Sequence, residues 1–218
     1  MAEEWAKKWS KFGDKVPWHI PGPHPLLVKH LDRLTGGKKG LRILVPLCGI
    51  TQDLIFLADQ GHSVIGIEFV RAGIEMFFKK NDLEYTIDAI NMAPSGAYVF
   101  KAKSKDITIF QCDYLHFRKS IAGGEIDAVW DRASLVAFLE NKSNEEDIEI
   151  GKRPDAVRSV GPSCCPQSLL RDMCGDNWEV ELLEKVEMGP GEGFQNFKFD
   201  FSYTLNLNVL TAKLADFQ

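Results

Sequence analysis

Hydrophobic residues along this chain fall into short unbroken runs, helical stripes and two-residue alternation, and each pattern predicts a different element. Leu41 to Val45 and Ser63 to Ile67 are apolar runs of the length and kind that parallel strands buried on both faces show. Between them Leu54, Ile55, Leu57 and Ala58 recur at helical spacing, with Thr51 placed as N-cap and Gly61 as the stop. The stretch 41–69 therefore reads as strand, tight turn, helix, strand. Ala72 to Asn81 repeats the helical stripe, with Ile74, Phe77 and Phe78 inward and Lys79, Lys80 and Asp82 outward. Ala97 to Lys101 and Ile107 to Cys112 form a hairpin signal around Ser104-Lys105-Asp106, and Glu125 to Asp131 reads as another strand.

The flanks are patterned differently. Trp5 and Trp9 are four apart on one face of a predicted N-terminal helix, either docking on the core or capping a ligand pocket. A loop rich in proline and glycine follows and carries Trp18 and His19. His24 to Leu34 is a helix with Leu26, Leu27, His30, Leu31 and Leu34 inward, ended by Gly36-Gly37. Residues 83–96 read as irregular. Residues 139–163 are dominated by charge and hold no apolar run of strand length. A helix follows Pro166, Trp178 to Met188 alternates as a strand, and Phe197 to Lys213 is a long alternating run, read as an antiparallel strand closing the sheet.

The turn after the first strand holds Pro46-Leu47-Cys48-Gly49. It has one glycine, so the GxGxxG dinucleotide fingerprint and the GxxxxGK[ST] phosphate loop are both absent. A nucleoside-bearing cofactor without a pyrophosphate needs fewer glycines, and S-adenosyl-L-methionine fits. Its amino-acid part can approach the Leu47 to Gly49 backbone. Glu68, at the carboxyl end of the second strand and about 20 residues past the turn, is placed for ribose hydroxyls. Asp113 and Tyr114 end the strand beyond, where adenine would lie. Arg132 follows another strand at the sheet's carboxyl edge, where ligands of open α/β sheets bind. Each position has a plainer alternative: a solvated strand-end acid for Glu68, a turn residue for Asp113, an ion pair for Arg132.

Composition adds exclusions. The 218 residues suit one domain with a sizeable core, and the hydrophobic fraction of 44% and charged fraction of 26% are ordinary for a globular chain. A net charge of −5 argues against nucleic acid or an anionic membrane as a partner. No apolar run reaches membrane-span length, and the N-terminus lacks the apolar centre of a secretory signal. The five cysteines form no CxxC pair, so the expectation is a cytoplasmic protein with reduced thiols and no metal.

Taken together, PLCG, ADQGHSVIGIE, VWDRASLVA and the opening EEWAKKW resemble the thiopurine S-methyltransferase family, from about Glu3 to Phe138. The resemblance implies an α/β, Rossmann-like class I methyltransferase fold, a mostly parallel sheet with an antiparallel C-terminal strand; a monomer is the expected state. It implies S-methylation of aromatic or heterocyclic thiols, such as thiopurines, with S-adenosyl-L-methionine. Cofactor contacts carry over to Trp5, Trp9, Leu47, Glu68, Asp113, Tyr114 and Arg132, beside the Gly49 backbone. Trp18 matches the loop aromatic that packs on substrate, and Arg132 is the residue expected to stabilise the thiolate. Asp113-Tyr114 stands where the family has Ser-Ile, Ile50 where it has lysine, and its second, C-terminal arginine has no match between Gly189 and Asn196.

One methyltransferase domain, 1–218, is the expected organisation: N-terminal cap helices 1–38, a cofactor-binding half 39–138, an atypical, shortened segment 139–163, and a C-terminal helix and closing strands 164–218. In that shortened segment roughly 20 residues of the family pattern are missing, including its fifth strand, about one strand with its loops. Two alternatives follow: a catalytically impaired cofactor-binding or interaction protein, and a methyltransferase for a non-sulfur small molecule.

Overall fold

The computed structural model describes residues 2–16, 19–91, 97–132, 134, 178–188, 193–194, 197–198 and 203–212. Two units divide the chain: 1–131 with 193–198, and 132–192 with 199–218. The first opens with helix α1 (Ala2–Phe12), then α2 (Pro25–Lys29) and α3 (Leu31–Thr35). Strand β1 (Arg42–Val45), helix α4 (Asp53–Asp59), β2 (Ser63–Glu68) and α5 (Arg71–Lys80) follow. Next come β3 (Tyr85–Ile90), β4 (Ala97–Ala102), β5 (Ile107–Gln111), α6 (Lys119–Ala122) and β6 (Ala128–Val129).

These six strands form one sheet in the order β3-β4-β5-β2-β1-β6. β6, β1, β2 and β5 run parallel, and β4 pairs antiparallel with both β5 and β3. Parallel order follows from helices α4 and α5 carrying the chain back across a face. Ile43, Leu54, Leu57, Ile74, Phe77, Phe78, Phe100 and Ile109 are fully buried there or in the strands beneath. Alternate strand residues build the second face, with Leu44, Ile65, Ile67, Val99, Phe110 and Cys112 in one cluster. Tyr114, Phe117, Ile121 and Ile126 pack against it from the β5–β6 connection.

Several expectations hold. The 41–69 unit, the 72–81 helix and the 97–112 hairpin are present, and Gly36 (φ 59°) and Gly61 (φ 88°) take the left-handed backbone of helix ends. α4 is assigned from Asp53, yet the Thr51 hydroxyl accepts from the Asp53 N–H (3.3 Å), the bond an N-cap makes.

Other expectations are corrected. The irregular stretch 83–96 contains β3, whose residues 86–89 are all exposed because it is the outer strand of an antiparallel pair. Its burial therefore supplies no inward-outward pattern. The single helix at 24–34 is two, broken at His30 (φ −112°), where no proline or glycine announces a break. Of the C-terminal run the structure describes β9 (Phe197–Lys198), which pairs with β8 (Gly193–Phe194), and β10 (Tyr203–Ala212), which does not join the six-stranded sheet. In the second unit β10 pairs antiparallel with β7 (Trp178–Met188), the strand expected there, in a two-stranded sheet.

The strand expected over 125–131 shrinks to two residues. Arg42 anchors its start: its N–H donates to Asp127 Oδ2 (2.7 Å), and its guanidinium donates to the carbonyls of Glu125 (2.9 Å) and Ala122. Among the described residues β6 pairs with β1 alone, and Val129 is 48% exposed. A pair so short and one-sided opens at low cost. Hydrogen exchange is expected to be at least about tenfold faster for amides in 125–131 than for those of β2. Equal protection in the two segments would refute this.

Candidate cofactor cradle and active site

From Val45 the chain turns through Pro46 to Thr51 into α4. Leu47 (φ 45°) and Gly49 (φ 50°) both have left-handed backbone. For leucine that conformation costs about 1–2 kcal/mol, so the surroundings must hold it. Three backbone donations do so. Cys48 N–H donates to Ile67 O (2.9 Å), Thr51 N–H to Cys48 O (3.1 Å), and Gly49 N–H to Glu68 Oε2 (3.0 Å). The turn is thereby fastened to the end of β2.

Glu68 is 7% exposed, and its other oxygen, Oε1, accepts from Val70 N–H (2.8 Å). Burial pushes its carboxyl up to about 7, against the N–H donations from Val70, Gly49 and Phe69 that favour the charged form. The carboxylate is therefore not the solvated strand-end acid of the plainer reading. Trp9 is buried and lies on this turn. A Cβ added at Gly49 would come within 3.2 Å of its ring and 3.9 Å of Glu68 Oε2, and one at Gly73 within 3.0 Å of the same ring. Glycine at both positions lets the α1 indole rest on the backbone. Trp5, one turn earlier, is half-buried with Lys8 Nζ 4.2 Å from its ring centroid.

On the neighbouring strand, Gln111 is the register partner of Glu68, and its Oε1 is buried without a hydrogen-bond partner among the described residues. Asp113 is half-buried and caps the 3₁₀ turn Tyr114–His116. Its Oδ1 accepts from Leu115 N–H (2.9 Å), and Oδ2 lies 3.4 Å from His116 Nδ1. Tyr114 is half-buried, with its hydroxyl pKa raised by burial and then by the charge of Asp131. Cys48 and Cys112 are buried, and burial, then Asp113, pushes the Cys112 thiol up to about 11. An open cavity of about 480 Å³ lies away from the turn, lined by residues that include Leu44, Tyr114, Phe117, Arg118 and Ile126 but neither Gly49 nor Glu68.

Asp53 is the residue that pattern reading missed. It is fully buried at the first position of α4, where Oδ1 accepts from His24 N–H (2.6 Å) and Oδ2 from Trp130 Nε1–H (2.8 Å). An acid in the first helical turn is common for electrostatic reasons alone, so nothing in the sequence singles it out. Arg132 is half-buried and opens the second unit. His19 is half-buried, its backbone N–H donating to Val16 O (3.1 Å). Trp18, the segment 139–163, the helix expected after Pro166 and Cys164, Cys165 and Cys174 lie outside the described residues.

A mostly parallel sheet, a left-handed turn leading into a helix, and a buried acid ending the second strand define a Rossmann-like α/β fold of the class I methyltransferase type. A solved structure described as "Conversion of a Disulfide Bond into a Thioacetal Group during Echinomycin Biosynthesis" shares it, with a TM-score of 0.53 over 96% of this chain and 89% of that one, at 18% identity. The thiopurine S-methyltransferase (TPMT) family profile matches residues 1–146. Proteins named thiopurine S-methyltransferase are similar along most of the chain. That of Canis lupus familiaris is 32% identical over 85% of this chain and 80% of its own length. Those of Panthera leo and Bos taurus, at 39% and 38% identity, have the same coverage. The chain belongs to the thiopurine S-methyltransferase family. Among the described residues no helix is long and apolar enough to cross a membrane.

Proposed function

We propose that this chain transfers the methyl group of S-adenosyl-L-methionine to the sulfur of an aromatic or heterocyclic thiol, thiopurines included. The observation that carries the reading is the left-handed Leu47–Gly49 turn, fastened to a buried acid at the end of β2, in a chain of this family. The cradle suits the cofactor. A side chain at Gly49 would fill the space beside Trp9 and Glu68, and among the described residues no donor reaches the buried Gln111 carbonyl. Glu68 would accept from the ribose hydroxyls. Trp9 excludes water from the turn, and Phe69, 41% exposed directly after Glu68, offers a flat face for the base. Trp5 borders the amino-acid end, and Asp113 and Tyr114 the adenine end.

Residues of the Leu47–Gly49 turn, with Glu68, would hold the cofactor, which would supply an electrophilic methyl group on a sulfonium sulfur for the acceptor thiolate, with S-adenosylhomocysteine as the leaving group. Arg132 favours the thiolate of the acceptor by its charge, and Trp18 stacks on the acceptor ring. Aromatic thiols ionise near neutral pH, so positioning rather than a strong base dominates the chain's contribution.

The test is methyl transfer to a panel of thiopurines, thiophenols and halide, with S-adenosylhomocysteine binding followed by calorimetry. Turnover of the thiols is expected, and Arg132→Ala should lower kcat/KM by about a hundredfold. Turnover of non-sulfur acceptors alone would sink the sulfur assignment. Binding without any turnover would leave a cofactor-binding protein, and absence of binding would end the methyltransferase reading.

A further inference from the structure

Glu68, Gln111 and Tyr98 form one row across β2, β5 and β4. Gln111 is the register partner of Glu68 on one side and of Tyr98 on the other. Register partners carry their side chains on the same face, so an acid, an amide and a phenol stand side by side on strands about 4.8 Å apart. The next row down shows the same neighbourhood: a Cβ on Gly66 would lie 3.2 Å from Cγ1 of its register partner Ile109. The two ends of the upper row are engaged. Glu68 accepts from Gly49 and Val70 N–H, and the Tyr98 ring lies 5.7 Å from the Arg71 guanidinium, whose Nε–H donates to Glu75 (2.7 Å). The middle is not. Gln111 Oε1 is buried, and among the described residues no donor reaches it. An acceptor left unmatched in this way costs the folded chain free energy, which a ligand bringing a donor recovers.

We propose that Gln111 reads the base of the cofactor, its side-chain carbonyl accepting from the 6-amino group of adenine. The proposal rests on S-adenosyl-L-methionine as the cofactor and adds the residue that makes the site require that amino group. The order of strands supplies the placement. The Leu47–Gly49 turn follows β1 and suits the amino-acid part, Glu68 ends β2 and suits the ribose, and β5 is the next strand across. A cofactor laid along this edge brings its base to the end of β5, where Gln111 is the last residue. Exposed aromatic residues adjoin the row at both ends: Phe69, directly after Glu68, and Tyr98, 40% exposed. Asp113, two residues beyond Gln111, has its carboxylate committed to its own turn, with Oδ1 accepting from Leu115 N–H and Oδ2 beside His116. Gln111 therefore holds the spare acceptor. No bond among the described residues fixes its amide, so a turn about the last torsion, which is broad and roughly two-fold, brings the carbonyl toward the edge at little cost.

Gln111→Met tests this, because methionine keeps the length of the side chain and removes the amide. Two ligands are titrated by calorimetry: S-adenosylhomocysteine, and the analogue that has hydrogen in place of its 6-amino group and so cannot donate there. The parent should bind S-adenosylhomocysteine about tenfold more tightly than the analogue. The variant should bind the two within about threefold of each other, with the loss falling on S-adenosylhomocysteine, since only that ligand has the donor. Ligand-free, the variant should melt at or up to about 3 °C above the parent, because an unmatched buried acceptor has gone. A residue that serves the fold alone would lower the melting temperature instead. Gln111→Leu repeats the cycle where the methionine variant does not fold. A parent that binds both ligands equally, a variant that keeps the parent's preference, equal losses for both ligands, or a melting temperature lowered by several degrees would each overturn the proposal. A parent that binds neither ligand would instead bring down the methyl-transfer reading on which it rests.

Discussion

Glu68→Gln is expected to weaken S-adenosylhomocysteine binding about 30- to 100-fold, and to flatten its dependence on pH. The geometry explains both effects. In the parent, one carboxylate oxygen holds the Gly49 N–H of the strained turn and the other the Val70 N–H. Glutamine presents an N–H₂ group to one of these donors and has no charge to offer the ribose hydroxyls. Losing a charge-assisted acceptor costs about 2–3 kcal/mol, the equivalent of that fold-change. The pH dependence follows from burial, which raises the carboxyl from an ordinary 4.5 to about 7. A raised acid binds its proton more tightly folded than unfolded. The contribution to stability is full below about 4.5 and is lost as pH rises through about 7, by no more than about 3 kcal/mol. Ligand hydroxyls act in the opposite sense, because they donate to the ionised form. Binding should therefore tighten as pH rises through about 7 and level off above it, while the ligand-free protein loses stability over the same range. Calorimetric titrations between pH 5.5 and 8.5 on parent and variant check this. A parent affinity independent of pH, or a variant that binds as tightly as the parent, would contradict the role given to Glu68.

The centre of the sheet was legible because burial on both faces turns β1, β2 and β5 into apolar runs, and the α4 and α5 stripes face them. β3 was not, since an outer strand with residues 86–89 exposed leaves no inward-outward signal. β6 was read as seven residues from its composition. Strand length depends on a partner as well as on propensity, and here β1 supplies pairing for two residues. The Trp5–Trp9 stripe was visible as spacing, but where Trp9 docks depended on Gly49 and Gly73, 40 and 64 positions further along. The place of Glu68 at the carboxyl end of β2 was legible from the apolar run before it, and its hydrogen bond to the turn was not. Asp53 was hidden for the same reason as the Trp9 contact: its partners are 29 and 77 residues away.

The largest loss of stability from a single methyl group is expected at Gly66, in the middle of β2. A Cβ there would lie 2.8 Å from Cys48 Sγ and 3.2 Å from Ile109 Cγ1. Cys48 and Ile109 are both buried, and Cys48 is fixed by its N–H donation to Ile67 O, so neither can move freely. Overfilling a close-packed interior costs about 1–3 kcal/mol, and the upper end applies here because the first clash is with a short side chain tied to strained backbone. Gly66→Ala should lower the melting temperature by about 5–10 °C. Cofactor binding should weaken with it, since pushing Cys48 displaces Gly49, the next residue in the turn. Cys48→Ala removes the sulfur and leaves its Cβ, 3.5 Å from the new methyl group, in ordinary contact. The double variant should then recover at least about half of the lost stability, a non-additivity expected of residues that touch. Thermal melts and S-adenosylhomocysteine titrations on the four proteins complete the cycle. If Gly66→Ala melts with the parent, or if Cys48→Ala gives no relief, the packing of the turn against β2 is not what requires glycine there. If stability recovers and binding does not, the turn depends on the Cys48 sulfur itself as well as on the space beside it.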